Sequence, residues 1–133
     1  MTTVGAVVRD ERTAPFFDGT AAGQFLLRKC EQCQALLTPY AVQCGPCGST
    51  DLTWEPAGGG AKVVSWVVPH TKPDANGHTD TTVLAIAELD EGPWWWSQVV
   101  DADPAAVAMG TRLRIDFQRA NDESEYVPVF RLA

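Results

Sequence analysis

All four cysteines of this chain fall in one stretch, KCEQCQALLTPYAVQCGPCG (residues 29–48). They form two C-x-x-C pairs, Cys30/Cys33 and Cys44/Cys47, with ten residues between the pairs. Each pair makes a turn that brings two sulfurs to one side of the backbone. Two such turns facing each other complete a tetrahedron with metal–sulfur distances of about 2.3 Å. Zinc is the expected ion, although a rubredoxin-like iron site uses the same four sulfurs. With every position filled by protein, such a site activates no water. It is structural, and its binding free energy becomes folding free energy, on the order of 10 kcal/mol or more. A thioredoxin-type redox pair would place one C-x-x-C at a strand-to-helix junction, which this loop-rich segment does not offer. Gly45 and Gly48 give the second turn residues that tolerate positive φ. The first turn has Glu31, Gln32 and Gln34 instead. Four thiolates around one divalent ion leave a net negative charge, and Arg28 and Lys29 stand beside Cys30 to offset it.

The rest of the chain divides around this stretch. Residues 1–12 are polar, carry little periodicity and read as a flexible arm. Residues 13–57 read as a short helix and the cysteine ribbon. Thr13 is the expected N-cap, Pro15 falls early in the first turn and Gly23 ends the helix. QFLLRKC leads as a strand into the first pair. Pro39 breaks the segment between the pairs into a hairpin or loop. The glycine run Gly58–Gly60 marks the junction with the remainder, residues 58–133. There five segments are rich in β-branched and aromatic residues: 62–68, 81–89, 94–100, 111–118 and 126–132. Between the third and fourth, Asp103, Pro104 and Gly110 frame a helix of one to two turns. Five strands with a short helix in that place is the order of an OB-fold barrel. The expected fold class is therefore mainly β: a short helix and a rubredoxin-like zinc ribbon, then a five-stranded OB-fold barrel.

Charge narrows the function classes. The net charge is −7. The first 48 residues balance, so residues 49–133 hold all of it. A nucleic-acid binder needs a basic face, and the barrel strands offer only Lys62, Arg112, Arg114 and Arg131. Anionic membranes are disfavoured for the same reason. No apolar run approaches the roughly 20 residues that span a bilayer. The N-terminus shows no basic leader followed by an apolar run, so the expected location is the cytoplasm, where thiols stay reduced.

No catalytic constellation stands out. His70 and His78 lie in one turn-rich segment and read as exposed loop residues. No serine sits in a G-x-S-x-G turn, and the glycine run does not open a helix as a phosphate loop would. The triplet Trp94-Trp95-Trp96 is more suggestive. In a strand, Trp94 and Trp96 point one way and Trp95 the other, so at least one large ring cannot share the core. The two readings are barrel core with one half-exposed ring, or a contact surface for a partner or apolar ligand. Phe16 and Phe17 raise the same question.

Four segments together resemble a known family: PFFDGTAAGQFLLRKCEQC, QCGPCGSTDLTWEPAGGGAKVVSW, LAIAELDEG and the closing VPVFRLA. From about Pro15 onward the chain looks like the acyl-CoA-associated zinc-ribbon/OB-fold family, long catalogued as a domain of unknown function. Gln34 departs from it, because the family's first knuckle usually has glycine there. The resemblance implies an accessory, non-catalytic subunit that accompanies a thiolase-like enzyme, sometimes a hydratase, acting on acyl-CoA. The ribbon and N-terminal helix would dock on the partner, and the barrel would help enclose the CoA-thioester path. The chemistry served would be carbon–carbon lysis, as in steroid or fatty side-chain degradation, or acyl transfer. Only Cys30, Cys33, Cys44 and Cys47 carry over, as zinc ligands. CoA is an anion and the barrel is acidic, so any phosphate contact on this chain is expected at Lys62, Arg112 or Arg114. The rival readings are a nucleic-acid-binding OB-fold with a ribbon, and a free-standing enzyme using His70 or His78.

Overall fold

Alternation along the barrel strands decides which way each side chain faces. In β5 (Val83–Leu89), Val83, Ala85, Ala87 and Leu89 are buried while Leu84, Ile86 and Glu88 turn outward. The computed structural model describes residues 4–133. It begins with helix α1 (Ala14–Ala21) and a three-stranded sheet of β1 (Leu26–Cys30), β2 (Leu36–Leu37) and β3 (Leu52–Pro56), with β1 central. β4 (Gly60–Val67), β5, β6 (Trp94–Val99), β7 (Arg112–Gln118) and β8 (Val127–Leu132) follow. These five close into a barrel in the order β4-β5-β6-β8-β7.

Two contacts close it. β4 pairs antiparallel with β7, and β6 meets β8 in parallel at Val99 and Phe130. All five strand expectations lie within two residues of the observed bounds. The helix expected between the third and fourth is a single 3-10 turn, Pro104–Ala106, capped by the Asp103 carboxylate, which accepts from Ala105 N at 3.0 Å. β3 has no counterpart in the sequence expectations. The glycine run has a steric reason: Gly60 lies against the Asp90 carboxylate, where a Cβ would collide. Gly59 takes φ +95°, in the left-handed region that glycine alone enters freely.

Ribbon and barrel share one core. Phe16 and Phe17 of α1 and Phe25 and Leu27 of the ribbon pack in the same buried cluster as Val63, Leu89, Leu113 and Phe130 of the barrel. Buried Thr20 donates through Oγ1 to the Tyr126 carbonyl at 2.7 Å, fixing the helix to the approach of β8. The first three residues of the expected arm lie outside the described ones. From Val7 onward the arm is tied down rather than loose. Val7 N donates to Ser124 Oγ at 2.9 Å, Glu125 N donates to the Val7 carbonyl at 2.7 Å, and Arg9 grips the Glu125 carboxylate through Nε at 2.9 Å. Among the described residues no helix is long and apolar enough to cross a membrane.

Two carboxylates make stability depend on pH. Arg131 Nε donates to Asp116 Oδ2 at 2.6 Å and holds that carboxyl below its ordinary range, helped by the Phe117 N–H. Arg9 does the same for Glu125. A lowered folded-state pKa gives stability that is present above the unfolded pKa, about 4, and is lost as pH falls through the folded value. Asp116→Asn should therefore lower the melting temperature at pH 7 by a few degrees. It should also narrow its gap to the parent chain as pH drops below 4. Thermal scans of both proteins at matched pH check this, and a gap that stays constant would refute it.

Candidate metal centre and aromatic face

The end of β1 delivers Cys30, and both knuckles are then built on one pattern. Cys30 N donates to the Ala35 carbonyl at 2.9 Å and Gln34 N to the Cys30 carbonyl at 2.9 Å. In the second knuckle Cys44 N donates to the Ser49 carbonyl at 2.8 Å and Gly48 N to the Cys44 carbonyl at 2.8 Å. The residue after each second cysteine is left-handed: Gly48 at φ +76° and Gln34 at φ +66°. Gln34 thus adopts the glycine conformation at a cost of about 1–2 kcal/mol. Its side chain donates to the Glu31 carbonyl at 3.0 Å, an added local bond within the turn. Gly45, placed where positive φ would be tolerated, does not adopt it.

The four sulfurs converge within 4.8 Å of one another. Cys30 to Cys47 and Cys33 to Cys44 are each 3.5 Å, and none forms a disulfide. A tetrahedron with metal–sulfur bonds near 2.3 Å has edges of about 3.8 Å, so the donor set fits one ion. Cys30 and Cys44 are buried, while Cys33 and Cys47 face solvent. The protein's own charges do not ionise all four. The Cys33 N–H, the largest influence on Cys30, brings it down to about 6. At Cys44 the Cys47 N–H acts the same way but is outweighed by burial and the neighbouring sulfurs, which push it up to about 12. A cation at the centre is what stabilises four thiolates together. The cluster can therefore bind a metal ion through protein ligands alone.

The tryptophan triplet splits as strand geometry requires. Trp94 and Trp96 are 53% and 66% exposed. Trp95 turns inward, with ring centroids 5.9 Å from Phe16 and 5.1 Å from Phe25. Two rings, not one, are left outside. Phe16 and Phe17, considered as contact residues, are only 8% exposed and belong to the core. Tyr40, 73% exposed, extends the outer patch from the loop between the knuckles, its ring 6.5 Å from Trp95. Ile86 lies opposite Trp96 across β5 and β6. Tyr40 escaped the sequence reading. The signal was the apolar run PYAV inside a loop otherwise occupied with metal binding.

The three basic candidates share a face of the barrel. Arg112 and Lys62 are directly opposed, and Arg112 and Arg114 are two apart on β7. One cross-strand row runs Arg112, Lys62, Glu88, Trp94, so this group adjoins the aromatic face. Acids already accompany two of them. Arg112 reaches Asp90 at 3.1 Å and Lys62 reaches Glu88 at 3.6 Å. Arg131 of β8 bridges Asp101 and Asp116. No basic stripe of the kind a nucleic acid needs runs along the barrel strands. His70 bridges to Thr81 in the exposed loop, and His78 Nε2 lies 2.9 Å from Asp80 Oδ1.

Residues 54–118 match the family model described as ChsH2, C-terminal OB-fold domain. The chain is 31% identical over 98 residues to a DUF35 domain-containing scaffold protein of Methanothermobacter thermautotrophicus, covering 73% of this chain and 74% of that one. It is 30% identical over 128 residues to a protein of Thermomonospora curvata named "Probable enoyl-CoA hydratase alpha subunit". That match covers 96% of this chain but 39% of the relative's length. Among solved structures, the Ltp2-ChsH2(DUF35) aldolase contains a chain superposing with TM-score 0.78 at 29% identity, over 97% of this chain and 98% of that one.

Proposed function

This chain belongs to the DUF35 family, and we propose that it acts as an accessory scaffold subunit of an acyl-CoA-processing complex. Its partner on this reading is a thiolase-like enzyme or a hydratase, and the reacting groups are the partner's. The observation that carries the reading is the end-to-end structural likeness to a chain of the Ltp2-ChsH2(DUF35) aldolase. The features of this chain agree with it. Cys30, Cys33, Cys44 and Cys47 hold a structural zinc ion, which suits a reducing cytoplasm. The ribbon (13–57) and barrel (58–133) are two modules on one core. Trp94 and Trp96, with Tyr40 and Ile86, present an apolar face to the partner, and Trp95 backs it. The adjoining group of Lys62, Arg112 and Arg114 is the contact this reading assigns to a CoA phosphate, and Arg114 has no carboxylate within 4 Å among the described residues.

Affinity capture of the tagged chain from its own host tests this reading. Recovery of a thiolase-like or hydratase subunit in fixed ratio, with acyl-CoA turnover in the eluate, is the expected result. Recovery of nucleic acid alone would overturn it.

A further inference from the structure

Tyr40 and Trp96 of the docking face also line a cleft whose remaining walls the scaffold reading leaves without a role. It lies between the ribbon, α1 and the barrel and measures about 860 Å³, within the range of small-molecule sites, about 300–1,000 Å³. Its walls include Phe16, Tyr40, Trp54, Trp95 and Trp96. Arg28 is set into this aromatic wall. Its guanidinium lies 4.3 Å from the Trp54 ring centroid and donates through Nη2 to the Leu52 carbonyl at 3.3 Å. No carboxylate among the described residues lies within 4 Å of it. Among the described residues lining the cleft the one acid, Asp10, accepts through Oδ1 from the backbone N–H groups of Arg12 and Thr13. A half-buried guanidinium with no carboxylate of the chain beside it is free to pair with one on a ligand. Here it stands beside an apolar hollow, in a chain whose net charge is −7.

We propose that this cleft is a ligand site of the chain's own for an amphipathic carboxylate. The apolar body packs on Phe16, Tyr40, Trp54 and Trp96, and the carboxylate pairs with Arg28. The proposal goes beyond the scaffold reading, because the site is complete without a partner. The test titrates the full-length, zinc-loaded chain with dodecanoate and with dodecanol, followed by calorimetry and by NMR of the indole N–H signals. Dodecanoate should bind one to one, about tenfold more tightly than dodecanol, and should shift the Trp95 and Trp96 signals. Arg28→Met should erase the difference between the two probes, and Arg28→Lys should retain part of it. If Arg28→Met does not fold, Arg28→Lys and the indole shifts of the parent chain still decide. Equal affinity for both probes, no binding, or unmoved indole signals would each overturn the proposal. A cleft that instead receives the partner's side chains would leave the free chain without dodecanoate binding, which also overturns it. Loss of carboxylate binding in Arg28→Met with partner capture intact supports the proposal separately from the scaffold reading.

Discussion

Removing the metal should unfold the ribbon and loosen the barrel with it. Ribbon strands are short, and β2 has two residues. Sheets of this size do not stand alone in water without a larger apolar core or a staple. On the proposed reading the staple is the four-sulfur centre, and ion binding at such centres contributes on the order of 10 kcal/mol to folding. That is comparable to the whole stability of an ordinary domain, about 5–15 kcal/mol. The loss should not stay local. Phe25 and Leu27 are buried in the cluster that also holds Leu89, Leu113 and Phe130, so ribbon unfolding exposes one wall of the barrel core. Chelation, or Cys44→Ser at a buried ligand, should abolish cooperative thermal unfolding of residues 13–57. It should also lower the barrel's transition by ten degrees or more. Circular dichroism and hydrogen exchange read both parts. A metal-free chain with an unchanged melting curve would refute the structural role of the centre.

The parts of this fold that were legible in the sequence are those decided locally. The alternation in VLAIAEL places four residues inside and three outside without reference to any other strand, and β5 follows it. The cysteine spacing likewise brings four sulfurs together whatever surrounds them. β3 was illegible for the opposite reason. STDLTWEP has turn formers on both sides, and it becomes a strand only by pairing with β1, from Leu26↔Pro56 to Cys30↔Leu52. The arm behaves similarly, because its partners Ser124 and Glu125 are more than a hundred residues away. Closure of the barrel depends on Val99 meeting Phe130, a parallel contact that no local pattern encodes. For the candidate site, strand geometry separated Trp95 from Trp94 and Trp96. It could not reveal that Phe16 is consumed in supporting Trp95, or that Arg28 ends over Trp54 with no acid at hand.

That division of the aromatics sets the second large effect. Trp94→Ala and Trp96→Ala should each weaken partner capture by about 2 kcal/mol or more, roughly thirtyfold, as exposed tryptophans at interface centres do. Combined, they should abolish capture at micromolar concentrations. Both rings stand outside the barrel, so the melting temperature of the isolated chain should move little, in keeping with surface substitutions of about ±0.5 kcal/mol. Phe16→Ala provides the contrast. Its ring is buried against Phe17, Phe25 and Trp95, so truncation should cost about 3–5 kcal/mol of stability. It should weaken capture only to the extent that the chain unfolds. Measuring thermal stability and partner affinity for all three variants separates the roles. If the double tryptophan variant binds its partner like the parent chain, the outer face of β5 and β6 is not the docking surface. The partner must then be sought on the ribbon.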